Sequence, residues 1–220
     1  MLSTPRLIER PAQHYVAIPA RVTMQSMVGL LPRLWPEVAA WLGARGIAPS
    51  GAPLIRWVVI DMAREMRIEV GLPVAKAVAG DGRVVAGTLP AGRYAVAVHH
   101  GHYNELVPSH AALQAWAAIE GLEWAVEASA AGDVWRARIE SYTTDPQATP
   151  DPADWRTEIA YLVAAGPARP RARSVKRPAA KKPKRGAKRA KRAAKKPKRK
   201  AKSAAKPRRA AKSKRRTQKR

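Results

Sequence analysis

Two stretches of this chain repeat one another in the same order. A chain that repeats itself inside one domain is constrained to fold as two copies of a unit that bury their apolar faces together. Pro11-Ala12-Gln13-His14-Tyr15 matches Pro90-Ala91-Gly92-Arg93-Tyr94 at an offset of 79. Trp41 with Gly46-Ile47 matches Trp116 with Gly121-Leu122 at 75. Arg67-Ile68-Glu69-Val70 matches Arg156-Thr157-Glu158-Ile159 at 89. Periodicity gives each copy the same elements. Residues 7–23 alternate and read as a strand. Residues 24–45 place Met27, Leu30, Leu31, Leu34, Val38, Trp41 and Leu42 at helical spacing, closed by Gly46. Pro32 and Pro36 either kink that helix or confine its regular part to 35–44. Residues 54–62 and 66–74 read as two strands around a short turn. The second copy follows with a strand over 84–99 broken at 90–92, a helix over 105–120, and strands over 134–143 and 155–164. Segments 129–133 and 144–154 swell it. The expected fold is α+β: tandem βαββ repeats, about 7–78 and 84–164, forming one domain with a groove along their pseudo-twofold axis.

Charge divides the chain a second way. Residues 167–220 hold 28 of the 42 Lys and Arg, no acidic residue, and none of the 12 Trp and Tyr. The first 166 residues carry 14 basic against 16 acidic side chains, so their formal balance is 14 − 16 = −2. The net charge of +26 therefore belongs to the tail. Ala, Lys, Arg and Pro offer too little apolar area to offset ordering entropy, so a disordered tail is expected. The body, by contrast, is long enough for one core. There is no cysteine, hence no disulfide or cysteine-based metal site. The first ten residues have no apolar h-region, and no run is long and apolar enough to span a membrane. These absences point to a cytoplasmic protein.

Cofactor and metal chemistry find no support in the motifs. His99 and His100 alternate to opposite faces of a strand, and His102 and His110 lack a carboxylate at ligand spacing. Gly80-Asp81-Gly82 is a turn between repeats, with no Gly-Lys-Ser/Thr step after it. Ser109-His110 is read as a chance neighbour pair rather than a nucleophile and its base. No metal and no cofactor are expected.

Four runs carry a family resemblance: Glu69-Val70-Gly71-Leu72-Pro73-Val74, then Gly87-Thr88-Leu89-Pro90-Ala91-Gly92-Arg93-Tyr94, His99-x-Gly101-x-Tyr103, and Trp155-x-x-Glu158-Ile159. Together they resemble the GyrI-like small-molecule-binding domain, also known as the effector-binding domain of bacterial transcription activators. The resemblance covers about residues 5–164. It implies a duplicated βαββ fold whose groove holds apolar, often cationic, ligands between aromatic walls over a buried Glu. On that basis Glu158 takes the Glu position and Glu69 is its counterpart in the first repeat. Trp57, Tyr94, Trp135, Tyr142 and Trp155 are the candidate walls. A carboxylate in such a groove is tolerated when paired, hydrogen-bonded or protonated, and a lipophilic cation supplies the missing charge. Aromatic faces add roughly 0.5–2 kcal/mol each as cation–π attraction.

The resemblance leaves several roles open. A sensor or scavenger of small molecules is the first expectation, more so than an enzyme. A hydrolase of strained cyclopropane-type DNA-alkylating compounds is the alternative, with Glu69 and Glu158 as acid and base. No helix-turn-helix precedes Leu7, so the usual activator layout is not expected.

The tail resembles those of linker histones and bacterial histone-like proteins. Lys181-Lys182-Pro183-Lys184-Arg185 recurs as Lys195-Lys196-Pro197-Lys198-Arg199 at an offset of 14, with Lys188 and Arg189 between. Cations without aromatics neutralise phosphates but do not stack on bases, so sequence-independent binding of duplex DNA and association with the nucleoid are expected. RNA, polyphosphate and anionic membranes offer the same charge. A third reading makes the whole chain a histone-like DNA-compaction protein with the domain secondary.

Overall fold

A computed structural model describes residues 1–165. The tail, with its lysines and arginines from Lys181 to Arg199, lies outside the described residues. The first copy supplies β1 (Arg6–Arg10), β2 (Gln13–Val22), α1 (Met24–Gly43), β3 (Leu54–Ile60) and β4 (Met66–Pro73). The second supplies β5 (Val85–Leu89), β6 (Gly92–His100), α2 (Leu106–Ile119), a hairpin of β7 (Val126–Ser129) and β8 (Gly132–Trp135), then β9 (Arg138–Tyr142) and β10 (Arg156–Leu162). All pair antiparallel in one curled sheet, in the order β1-β6-β10-β9-β3-β4-β2-β5, with β8 joining β3 at the side.

The duplication is written into the ladder registers. Tyr15 faces Pro73 across β2–β4, and Tyr94 faces Leu162 across β6–β10, the same pair displaced by 79 and 89. Gly46 and Gly121 close α1 and α2 at the same left-handed φ of 64°. Ile47 N–H donates to the Leu42 carbonyl, and Leu122 N–H to that of Ala117. Periodicity does not disclose that the copies exchange their edges. β1 pairs with β6, and β5 with β2. Each outer strand thus covers the other copy, which protects an edge in both.

Both prolines sit within α1, which runs unbroken from Thr23, where Thr23 and Ser26 hydrogen-bond reciprocally. Confinement to 35–44 is therefore corrected. Pro32 and Pro36 are four apart on the exposed face, where the carbonyls they free meet water, while Leu34, Val38 and Leu42 face the sheet. The strand expected over 134–143 is also interrupted: Arg136 N–H turns to the Ala125 carbonyl, dividing β8 from β9. Segment 129–133 becomes the β7–β8 turn.

Both helices lie on one face of the sheet. Under α1 the core contains Ile18, Ile55, Ile68 and Val70; under α2 it contains Ala97, Leu113, Ile159 and Tyr161. Alternation sends Tyr15, Leu54, Tyr94, Val96, Ile139 and Leu162 to the opposite face, where they form a second core inside the curl. No helix among the described residues is long and apolar enough to cross a membrane.

Candidate functional site

The two copies meet where β3 pairs with β9. Ile55 there faces Glu140, with Leu54 opposite Ser141 and Arg56 opposite Ile139. The β3–β4 and β9–β10 ladders superpose at offsets of 85 for β3 on β9 and 89 for β4 on β10, since Ile55 faces Val70 as Glu140 faces Ile159. Ile55 and Glu140 are therefore equivalent residues in direct contact, so Glu140 stands on the pseudo-twofold axis.

Glu140 points to the helix side and is 3% exposed. Its Oε1 accepts from Trp57 Nε1 at 2.8 Å and His110 Nε2 at 2.7 Å, and its Oε2 accepts from Tyr142 Oη at 2.5 Å. Burial opposes its ionisation, but the His110 and Tyr142 hydrogen bonds and the nearby Arg138 charge prevail, holding the carboxyl below its ordinary value. An ionised carboxylate only accepts, so His110 carries a proton on Nε2. In neutral imidazole, Nδ1 then accepts from Tyr161 Oη at 2.9 Å. The same burial, with the Glu140 charge beside it, pushes the Tyr142 phenol well above its usual value.

Aromatic rings flank this carboxylate. Tyr142 packs edge-on against Trp35 of α1 and against Tyr103, and Tyr103 lies 4.6 Å from Trp155, centroid to centroid. Along the same face of β9, the Arg138 guanidinium rests over Tyr161, Trp135 and Trp57, and Trp124 closes on Tyr161 and Trp135. Of the expected walls, Trp57, Tyr142 and Trp135 are gathered here, with Trp155 at the margin through Tyr103.

Tyr94, Glu69 and Glu158 face the other way, into the curl. Glu69 accepts from Tyr15 Oη at 2.5 Å and Arg56 Nη1 at 3.0 Å. Burial and the Glu69 charge raise the Tyr15 phenol. Glu158 pairs with Arg10 at 2.8 Å, both about a quarter exposed. Arg10 also lies over Tyr94, whose hydroxyl donates to the Pro90 carbonyl and whose pKa burial raises to about 12. Glu69 on β4 and Glu158 on β10 are separated by β3 and β9. Three strand spacings put their backbones roughly 14 Å apart along the sheet. Each of the two carboxylates has its own arginine.

Glu140 and Arg138 escaped the sequence reading, and His110 entered it only as a metal ligand or base that was set aside. Repeat matching flags what is duplicated, as it flagged Glu69 and Glu158. A residue on the axis meets its own equivalent, and two glutamates there would repel, so the position carries Glu in one copy and Ile in the other. The usable signal was alternation, which puts Arg138, Glu140 and Tyr142 on one face of a strand.

His99 and His102 have partners of their own. His99 Nδ1 meets Ser109 Oγ at 2.8 Å and its Nε2 the His102 carbonyl at 3.1 Å, while burial lowers its pKa. His102 stacks on Trp155. A concavity of about 970 Å³ opens elsewhere, lined by Glu9, Arg93, Trp124, Glu127 and Arg136 among others. Its charged residues are exposed, and Glu140 is not among them, so the buried carboxylate is the better candidate for specific recognition.

A family model described as the GyrI-like small molecule binding domain matches residues 3–163, and the chain belongs to this family. Among curated protein sequences none matches. The crystal structure of the EcmrR C-terminal domain is similar at a TM-score of 0.59 and 19% identity, covering 74% of this chain and 98% of that one. EcmrR in its DNA complex gives 0.58 and 19%, covering 73% of this chain. The present chain spans only 57% of that protein's length. An uncharacterized conserved protein from Listeria innocua gives 0.52 and 14%, covering 73% and 92%. At these identities the likeness is one of fold.

Proposed function

We propose that the body binds flat or globular apolar molecules on the helix side of the seam, as a sensor or scavenger, and that the tail holds it on duplex DNA. The observation that carries the first half is the on-axis Glu140, buried under donors from three elements and flanked by aromatic rings. A family built to bind small molecules needs one deep polar anchor among apolar walls, and this chain has one where its two copies meet. The wide backbone spacing of Glu69 and Glu158, and the arginine on each, favour binding over turnover by that pair. The expected preference for cations assumed a carboxylate short of partners; Glu140 has three.

The second half rests on the tail's 28 cations. A tether raises the local concentration of a scavenger where DNA-directed compounds act. Gel shift of the full chain against a chain ending at Ala165 tests it. The full chain binds DNA without sequence preference, and engaging about ten phosphates gives a log–log salt slope of about −9. Undiminished binding by the shortened chain contradicts the tether. For the body, thermal-shift screening of apolar dyes should stabilise wild type, and Glu140→Gln should weaken that stabilisation. Equal stabilisation of both proteins by every dye contradicts an anchor at Glu140.

A further inference from the structure

We infer that Arg138 is the groove's own resident cation, so that the groove takes neutral or anionic apolar ligands bearing a hydrogen-bond acceptor and turns lipophilic cations away. This rests on the reading of the helix-side groove as the ligand site, and it names the ligand class for that site.

The guanidinium carbon of Arg138 lies 4.7 Å from the Tyr161 centroid, 5.1 Å from that of Trp135 and 5.9 Å from that of Trp57. Three electron-rich faces around one cation form the arrangement that recognises a cationic ligand, already filled from within. Glu140 stands two residues along the same face of β9, and the Arg138 charge acts on its carboxyl. The groove's negative charge is thereby balanced before any ligand arrives, and a bound cation would bring a charge with no counterpart.

Two unmet donors say what fits instead. Arg138 Nε and Trp135 Nε1 are both buried and have no hydrogen-bond partner among the described residues, although Trp135 is only 5% exposed. Buried N–H groups are rarely left in this condition, because each forfeits its hydration without replacement. Both belong to the same box of rings. A carbonyl, ether, sulfonate or carboxylate oxygen reaching it would satisfy them. Arg138 alone of the four residues of the box is half-buried rather than buried, so an incoming oxygen approaches from its side.

Tetraphenylphosphonium and tetraphenylborate have one shape and opposite charges, which makes them suitable probes. Full-length wild type, Arg138→Met, Arg138→Lys and Glu140→Gln are titrated with each, following tryptophan quenching. All seven tryptophans precede the tail, and the tail is identical in the four proteins. Thermal melts verify that each variant is folded. Wild type is expected to favour the borate, and Arg138→Met to move the affinity ratio toward the phosphonium by about tenfold, the scale of one strong cation–π contact. Arg138→Lys should hold the wild-type order, since it keeps the charge. A ratio unmoved by Arg138→Met overturns the assignment. Phosphonium binding to wild type that Glu140→Gln weakens also overturns it, while leaving the ligand groove standing. Absence of saturable quenching by either ion in every protein removes both.

Discussion

Replacing Glu140 with alanine removes the acceptor of three donors at once: Trp57 Nε1, His110 Nε2 and Tyr142 Oη. Each buried donor left without a partner costs about 1–3 kcal/mol. Relief of the buried charge offsets part of this, and breaking one side of a buried ionic network typically leaves a deficit of about 3–5 kcal/mol. At about 2–4 °C per kcal/mol for a domain of this size, the melting temperature should fall by roughly 6–20 °C. Glu140→Gln is the discriminating partner. Its carbonyl can still accept from Trp57 and His110, and its amide can donate to a reoriented Tyr142 hydroxyl, so only the charge assistance is lost, about 1–2 kcal/mol.

The pH dependence separates charge from shape. Glu140's folded pKa is depressed, so as pH falls the unfolded chain takes up the proton first. The stability it contributes is complete above the unfolded value of about 4.3 and is lost as pH falls through the folded value. Thermal melts of wild type and Glu140→Gln from pH 7 to pH 3 should therefore converge at the acid end. An equal or higher melting temperature for Glu140→Gln at pH 7, or a gap that persists undiminished to pH 3, refutes the reasoning.

Other outcomes follow from neighbouring contacts. Tyr142→Phe removes one charge-assisted bond to Glu140 and should cost about 1–3 kcal/mol in urea unfolding. His99 is held below its ordinary pKa by burial, so it should weaken the fold as pH falls below about 6.5; His99→Gln should flatten the stability curve between pH 7 and pH 5. A Cβ at Gly87 would lie 2.2 Å from the Tyr15 ring, so Gly87→Ala must displace Tyr15 from Glu69 and should cost about 1–3 kcal/mol by chemical denaturation.

Where the sequence spoke through repetition it was legible. The offsets of 79, 75 and 89 reappear as ladder registers and as matching helix ends, because equivalent residues do equivalent structural work. The prolines of α1 misled because propensity is local, whereas α1 is held by Leu34, Val38 and Leu42 against the sheet. The exchange of β1 and β5 left no trace, since an edge strand alternates in the same way whichever copy it joins. The anchor at Glu140 was hidden for the opposite reason to the repeats. Its position is where symmetry brings two equivalent residues into contact, and so where the copies must differ. His110 was passed over because its acceptor lies 30 residues further along the chain, joined to it only by the packing of α2 on β9.

The central claim is that small molecules bind on the helix side of the seam, against Glu140. The most direct measurement is a two-dimensional NMR titration of the tryptophan indole N–H signals of the full chain with a panel of neutral and anionic aromatic probes. The seven indoles report separate places on the body, and Trp57 donates to Glu140 itself. Saturable shifts centred on Trp57 and Trp135, with Trp41 and Trp116 undisturbed, are the predicted result. Saturable shifts confined to Trp41 and Trp116, or none with any probe, would contradict it.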